Sequence, residues 1–219
     1  MEATRERINL QYAWHALTVP PLNAMKFSEN ELYHIYNRGN NRQPIFFRPA
    51  NYLFFLEKVR KYILPYCDML AYCLMPNHFH FLINADTRTV AKKFISGNSK
   101  NILSESVKNL LSSYAQAINR QNKSVGSLFQ QNTKAKCLLR IEKDYDLACF
   151  NYIHQNPVKA RLVRKMEDWP NSSFRDYCGF RNDTVCNVKL GLQLLNLDEK
   201  TFYQDSYMII NDDDLKNIF

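Results

Sequence analysis

Two nearly continuous apolar runs, Met69–Met75 and His78–Ile83, are separated only by Pro76-Asn77. A two-residue link is too short for anything but an antiparallel reversal, so the spacing predicts a β-hairpin at the centre of the fold. The second run carries two histidines. In a strand, residues i and i+2 share a face, so His78 and His80 stand side by side while Phe79 and Phe81 fill the other face. Two imidazoles on one face can grip one metal ion, although by spacing alone such a pair is more often a satisfied or surface pair than a ligand set.

The remaining elements follow from periodicity. Leu32 to Tyr36 reads as a strand that ends in the loop Asn37-Arg38-Gly39-Asn40-Asn41-Arg42. Pro49 suits a first helical position, and Tyr52, Phe55, Leu56, Val59 and Ile63 follow at helical spacing until Pro65 stops the run. Helical signal returns over Thr89 to Ile95 and again at Val107, Leu110, Leu111, Tyr114 and Ile118. Leu128 to Leu139, with Lys134 and Lys136 alternating against small or apolar neighbours, reads as a half-exposed strand. A last helix is expected from Asp144 to Asn156, ended by Pro157. Strand, helix, strand, strand, helix, strand, helix is the order of a split β-α-β, ferredoxin-like α+β sheet.

Composition sets the limits around that domain. The net charge is +8, yet residues 31–181 alone hold 23 Lys and Arg against 11 Asp and Glu. A basic domain in a chain with 13 tyrosines and 14 phenylalanines favours a polyanion, with rings available to stack on unpaired bases, although such a balance also serves solubility. One domain is expected over residues 27–181. Residues 1–26, with Pro20-Pro21 and Met25, read as an arm that is either disordered or an extended start, and residues 182–219, closing on Asp212-Asp213-Asp214, as an acidic peripheral appendage. The six cysteines, at 67, 73, 137, 149, 178 and 186, form no Cys-x-x-Cys pair, which argues for reduced, buried thiols and against a zinc ribbon. No long apolar run or signal-peptide pattern occurs, so neither membrane nor export is indicated and a cytoplasmic protein is expected.

On the last helix Tyr152 and Asn156 are four apart and share a face. Tyr145, Cys149 and Tyr152 also form a stripe of the kind that packs on a sheet, and taken alone Tyr152 belongs to that stripe. His154 points elsewhere around the helix and is read as structural.

Read jointly, Pro76-Asn77-His78-Phe79-His80-Phe81, Gly126-Ser127-Leu128-Phe129-Gln130 and Tyr152-Ile153-His154-Gln155-Asn156-Pro157 occur in an order that resembles the REP-associated tyrosine transposases, a branch of the single-tyrosine HUH transposases. The resemblance extends to Tyr36-Asn37-Arg38-Gly39 and Trp169-Pro170-Asn171-Ser172-Ser173 and spans residues 31–180. It implies an antiparallel sheet with helices packed mainly on one face, His78 and His80 as metal ligands, Tyr152 as nucleophile, and Asn156 where relatives place a further polar ligand. The implied cofactor is Mg²⁺ or Mn²⁺, and the implied reaction is cleavage and strand transfer of single-stranded DNA at hairpin-containing repeats through a 5′-phosphotyrosine intermediate. Arg38, Arg42, Lys134, Lys136, Lys159 and Arg161 are then candidate phosphate contacts, each equally readable as a solvated charge. The partner that the resemblance implies is single-stranded DNA with hairpin structure, with monomer and homodimer both open. Two alternatives stand beside this reading: a non-catalytic single-stranded nucleic-acid module that stacks bases on Phe79 and Phe81, and a metal-dependent hydrolase in which Tyr152 only positions substrate.

Overall fold

The computed structural model describes residues 22, 26–95, 98–138, 145–183 and 185–207, without the side chains of 93–95 and 98–100. The hairpin forms as its spacing requires. Strands β2 (Asp68–Met75) and β3 (His78–Asn84) run antiparallel from Met75 opposite His78 to Met69 opposite Ile83, with one irregularity between Met69 and Ala71. Strand β1 (Leu32–Arg38) lies on the other side of β3, placing Tyr36 opposite His80 and Arg38 opposite His78. With Lys134–Cys137 as β6, the sheet order is β2-β3-β1-β6, antiparallel throughout, which is the split β-α-β arrangement.

Helix α1 (Pro49–Tyr62) starts at its proline, and the Asn51 side chain accepts from the Phe47 and Arg48 amides at 3.1 Å, closing the first turn. Helix α3 (Ile102–Asn122) is capped by Asn101, whose Oδ1 accepts from the Ser104 amide at 3.0 Å. Both helices pack on the sheet face that carries Phe79, Phe81 and Ile83, through Phe55, Val59, Val107 and Tyr114. Each such ring or branched chain taken from water contributes about 1.5–3 kcal/mol. The expectation of helices mainly on one face describes α1 and α3. Helix α4 (Tyr145–Lys159) crosses the opposite face instead, packing Cys149, Phe150 and Ile153 against Leu70, Ala71, Cys73 and Leu82.

Three expectations need correction. Between Thr89 and Ile95 the chain makes only the short α2 (Thr87–Val90), capped by Asp86, and then β4 (Lys92–Ile95), which pairs with β5 (Asn98–Asn101). Between these strands the sequence carries Ser96-Gly97, a dipeptide of turn-forming composition that argues against a continuous helix. The strand expected over Leu128 to Leu139 shrinks to β6 (Lys134–Cys137), because before it the chain meets β1 only irregularly, through an isolated bridge from Phe129 to Gly39 and the Gln130 amide on the Arg38 carbonyl; Leu139 lies outside the described residues. Pro157 does not stop α4. The proline gives up its own N–H and crowds the carbonyl four residues back, yet the helix continues and closes two residues later in a Schellman motif: the Leu162 amide reaches the Pro157 carbonyl and the Arg161 amide the Val158 carbonyl, both at 2.9 Å, with Arg161 at φ 56°. Asp144 lies outside the described residues.

Beyond α4, α5 (Phe174–Tyr177), α6 (Val188–Leu194) and α7 (Phe202–Asp205) add to the same face. The segment read from its charge as peripheral therefore supplies core: Val185, Cys186, Leu195 and Phe202 are buried. Leu22 is buried too, with its amide on the Thr133 carbonyl at 2.8 Å. The rest of residues 1–25 and Asp212-Asp213-Asp214 lie outside the described residues. All six cysteines are free thiols, Cys137 and Cys178 only partly buried. No helix among the described residues is long and apolar enough to cross a membrane.

Candidate active site

The strand register places three pairs of side chains on the α4 face: His78 and His80 from β3, Tyr36 and Arg38 from β1, and Lys134 and Lys136 from β6. Across them lies α4. The Tyr152 ring meets the His80 ring edge to face, with centroids 5.6 Å apart. His78 and His80 are themselves perpendicular at 5.0 Å. One turn beyond Tyr152, Asn156 is buried and its side chain favours protonated His78 and ionised Tyr152, while its Nδ2 has no hydrogen-bond partner. His78, His80 and Tyr152 open on a cavity of about 150 Å³ that Tyr36, Asn37, Arg38, Gln130, Asn132 and Lys134 also line, with Asn156 outside the lining. A larger hollow of about 360 Å³ against α3 shares Asn37, Gln130 and Asn132 with it.

The electrostatics of the site are set by burial. Loss of water lowers His78 to about 4, with the Arg38 guanidinium pushing the same way. Burial, followed by neighbouring His34, His78 and Arg38, holds His80 well below the usual imidazole range. Both rings are therefore neutral at pH 7. The His78 Nδ1–H donates to Asn77 Oδ1 at 2.6 Å, while Asn77 Nδ2 donates to the Arg42 carbonyl at 3.3 Å, which leaves Nε2 of His78 with its lone pair. Burial raises Tyr152 to about 12, opposed by the Asn156 amide.

The local sequence explains why these parts hold position. After β1 the chain turns at Gly39, whose amide donates to the Asn77 carbonyl at 2.7 Å; a Cβ there would sit 2.0 Å from the Gln43 carbonyl oxygen. The Gln130 amide donates to the Arg38 carbonyl at 2.9 Å and Asn37 Nδ2 donates to the Gln130 carbonyl at 3.2 Å, tying the Gly126–Gln130 segment to the pocket. Residues 169–173 run along β2: the Leu74 amide donates to the Asn171 carbonyl and the Ser173 amide to the Tyr72 carbonyl.

All four residues of the candidate centre thus come together. Of the candidate phosphate contacts, Arg38 and Lys134 line the cavity, and Lys159 Nζ lies 5.9 Å from the centre of the Tyr152 ring. Lys136 shares their strand face but sits outside the lining, its Nζ 4.9 Å from the Tyr145 ring. Arg42 and Arg161 are exposed, one in the turn after β1 and the other past α4. His154 is structural as expected, buried with Nε2 2.7 Å from Ser173 Oγ. Phe79 and Phe81 lie under α1 and α3, where they cannot stack on bases. Sequence reading missed His34, Asn37, Gln130 and Asn132; for His34 the available signal was the period of two running back from Arg38 through Tyr36.

The chain is similar in fold to a REP-associated tyrosine transposase solved bound to a REP hairpin, with a TM-score of 0.52 and 16% identity, covering 75% of this chain and 90% of that one. The family described as IS200-like transposase matches residues 28–156, a span that closes on Asn156. The chain belongs to the IS200-like transposase family. No curated protein matches it.

Proposed function

We propose that this chain cuts and rejoins single-stranded DNA at hairpin-containing repeats, with Tyr152 forming the covalent link. The observation that carries the reading is the meeting of Tyr152, His78 and His80 at one basic cavity, with Asn156 acting on both His78 and Tyr152. Membership of a transposase family and a fold neighbour bound to a REP hairpin support the substrate class.

A divalent cation fits the residues present. Among the described residues no three His, Cys, Asp or Glu side chains gather into a metal-holding group, so the set needs the Asn156 amide as its third donor. It would present its Oδ1 to the ion, while the buried Nδ2, without a hydrogen-bond partner, would remain to donate to an acceptor such as a phosphate oxygen. His78 and His80, neutral at pH 7, and Asn156 would hold Mg²⁺ or Mn²⁺, an oxygen- and imidazole-tolerant set. When bound, the ion supplies positive charge against the scissile phosphate and makes its phosphorus more electrophilic.

The chain's own groups do the rest. Arg38, Lys134 and Lys159 pair with phosphate oxygens and set the strand across the cavity. Tyr152 Oη bonds to phosphorus as its proton leaves, the P–O3′ bond breaks, and the departing oxygen takes up a proton to become a 3′-hydroxyl. The phosphodiester energy stays in the 5′-phosphotyrosine, so a second 3′-hydroxyl can reverse the step without a nucleotide cofactor. The test is cleavage of end-labelled single-stranded hairpin oligonucleotides in Mn²⁺. Nicking with a 3′-hydroxyl and a blocked 5′ end, abolished by chelator and by His80→Ala, is expected; a free 5′-phosphate would support the hydrolase instead.

A further inference from the structure

His34 is fully buried on β1 and places its Nε2 2.9 Å from His80 Nδ1, with the ring planes 21° apart. Tyr36 stacks on it, centroids 4.8 Å apart, and fixes its plane. The other nitrogen, His34 Nδ1, is buried and has no hydrogen-bond partner. An apolar side chain would fill this core position at less cost, so an imidazole here calls for an explanation.

Tautomer chemistry supplies one. Each neutral ring carries a single proton, and the short N···N contact needs one proton between the rings. If His34 Nε2–H donates, the proton of His80 falls on Nε2, and the ring has no lone pair to offer a cation. If His80 Nδ1–H donates, its Nε2 lone pair is available and the proton of His34 rests on the unpartnered Nδ1. The neighbouring ring faces no such choice, because His78 Nδ1–H has the oxygen of Asn77 as its acceptor.

Resting on the reading of His80 as a cation ligand, we propose that His34 is a positioning residue that accepts the His80 Nδ1 proton and thereby commits His80 Nε2 to the metal. Hydrogen-bond partners of ligating histidines act in this way. Glutamine at 34 can set its amide oxygen where the imidazole Nε2 now lies, whereas leucine cannot accept at all.

The experiment measures Mn²⁺ binding by the loss of the free-ion electron paramagnetic resonance signal for wild type, His34→Leu, His34→Gln and His80→Ala. It is paired with ¹⁵N spectra of the His80 ring in the Mg²⁺-loaded wild type. His34→Leu should weaken Mn²⁺ binding about 10–100-fold, and His34→Gln should recover most of that loss. The loaded wild type should carry the His80 proton on Nδ1, a signature that a purely packing role would not require and that depends on no variant folding. Unchanged Mn²⁺ affinity in His34→Leu with weakened His80→Ala, or a proton on His80 Nε2 in the loaded protein, overturns the role of His34 alone. Unchanged affinity in His80→Ala overturns the ligand assignment beneath it.

Discussion

The Tyr152 ring stands edge-on to the His80 ring, 5.6 Å between centroids and 89° between planes. One ring comes from α4 and the other from the middle of β3, so the contact exists only when the helix is seated on the sheet. The hydroxyl and the imidazole pair are held by core packing of Cys149, Phe150 and Ile153 on that helix. The chemistry therefore inherits the rigidity of the sheet.

Burial holds Tyr152 as a phenol, with its ionisation raised to about 12. Loss of its proton should limit the attack, so the rate of strand cleavage in Mg²⁺ should climb about tenfold per pH unit from pH 6 to 8.5. A profile flat across that window would mean that deprotonation of Tyr152 is not rate-determining.

Acid should unfold the protein early. His34, His78 and His154 are lowered by burial to about 3, 4 and 3. The unfolded chain thus takes up more protons once the pH drops below the ordinary imidazole value. Stability is at its full level above about pH 6.5 and falls as pH drops toward these folded values, by up to about 1.4 kcal/mol per unit for each ring. For His78 alone the loss is about 3 kcal/mol by pH 4. Urea midpoints in EDTA at pH 7, 6 and 5 check this; a midpoint that holds steady would refute it.

Gly39→Ala should cost about 1–3 kcal/mol, the usual penalty for overpacking, since its Cβ would lie 2.0 Å from the backbone oxygen of Gln43. The required shift also moves Arg38 next door, so hairpin affinity should fall along with the denaturation midpoint. Wild-type stability in this variant would show that the loop has slack.

Phosphate contacts can be separated by salt. Arg38→Ala and Lys134→Ala, both at the cavity, should each weaken binding of a single-stranded hairpin and lower the slope of log K against log salt by about 0.7. Lys136→Ala, whose ammonium sits over the Tyr145 ring, should change that slope less. Equal slopes for Lys134→Ala and Lys136→Ala would remove the distinction drawn from the geometry.

The parts legible in the sequence are those where local pattern and tertiary role agree. The β2–β3 turn, the α1 start at Pro49 and the Tyr152/Asn156 spacing on one helix face all depend on short-range rules. The parts that were not legible depend on distant partners. Phe129 is irregular because it bridges to Gly39, Pro157 sits within α4 because the Schellman closure follows it, and Phe202 is core because α7 folds back beside Phe174. The period of two puts His34 on the site face, but its contact with His80, a diagonal neighbour across β1 and β3, depends on the strand register.

The most direct measurement is the identity of the covalent product. Protein incubated with a single-stranded hairpin oligonucleotide and Mn²⁺ is denatured, digested with nuclease and protease, and analysed by mass spectrometry. The expected result is a nucleotide phosphate attached to the peptide that contains Tyr152, absent with chelator and in Tyr152→Phe, while Tyr152→Phe still binds the hairpin. Cleaved DNA with no modified tyrosine, or an adduct that persists in Tyr152→Phe, would contradict the account.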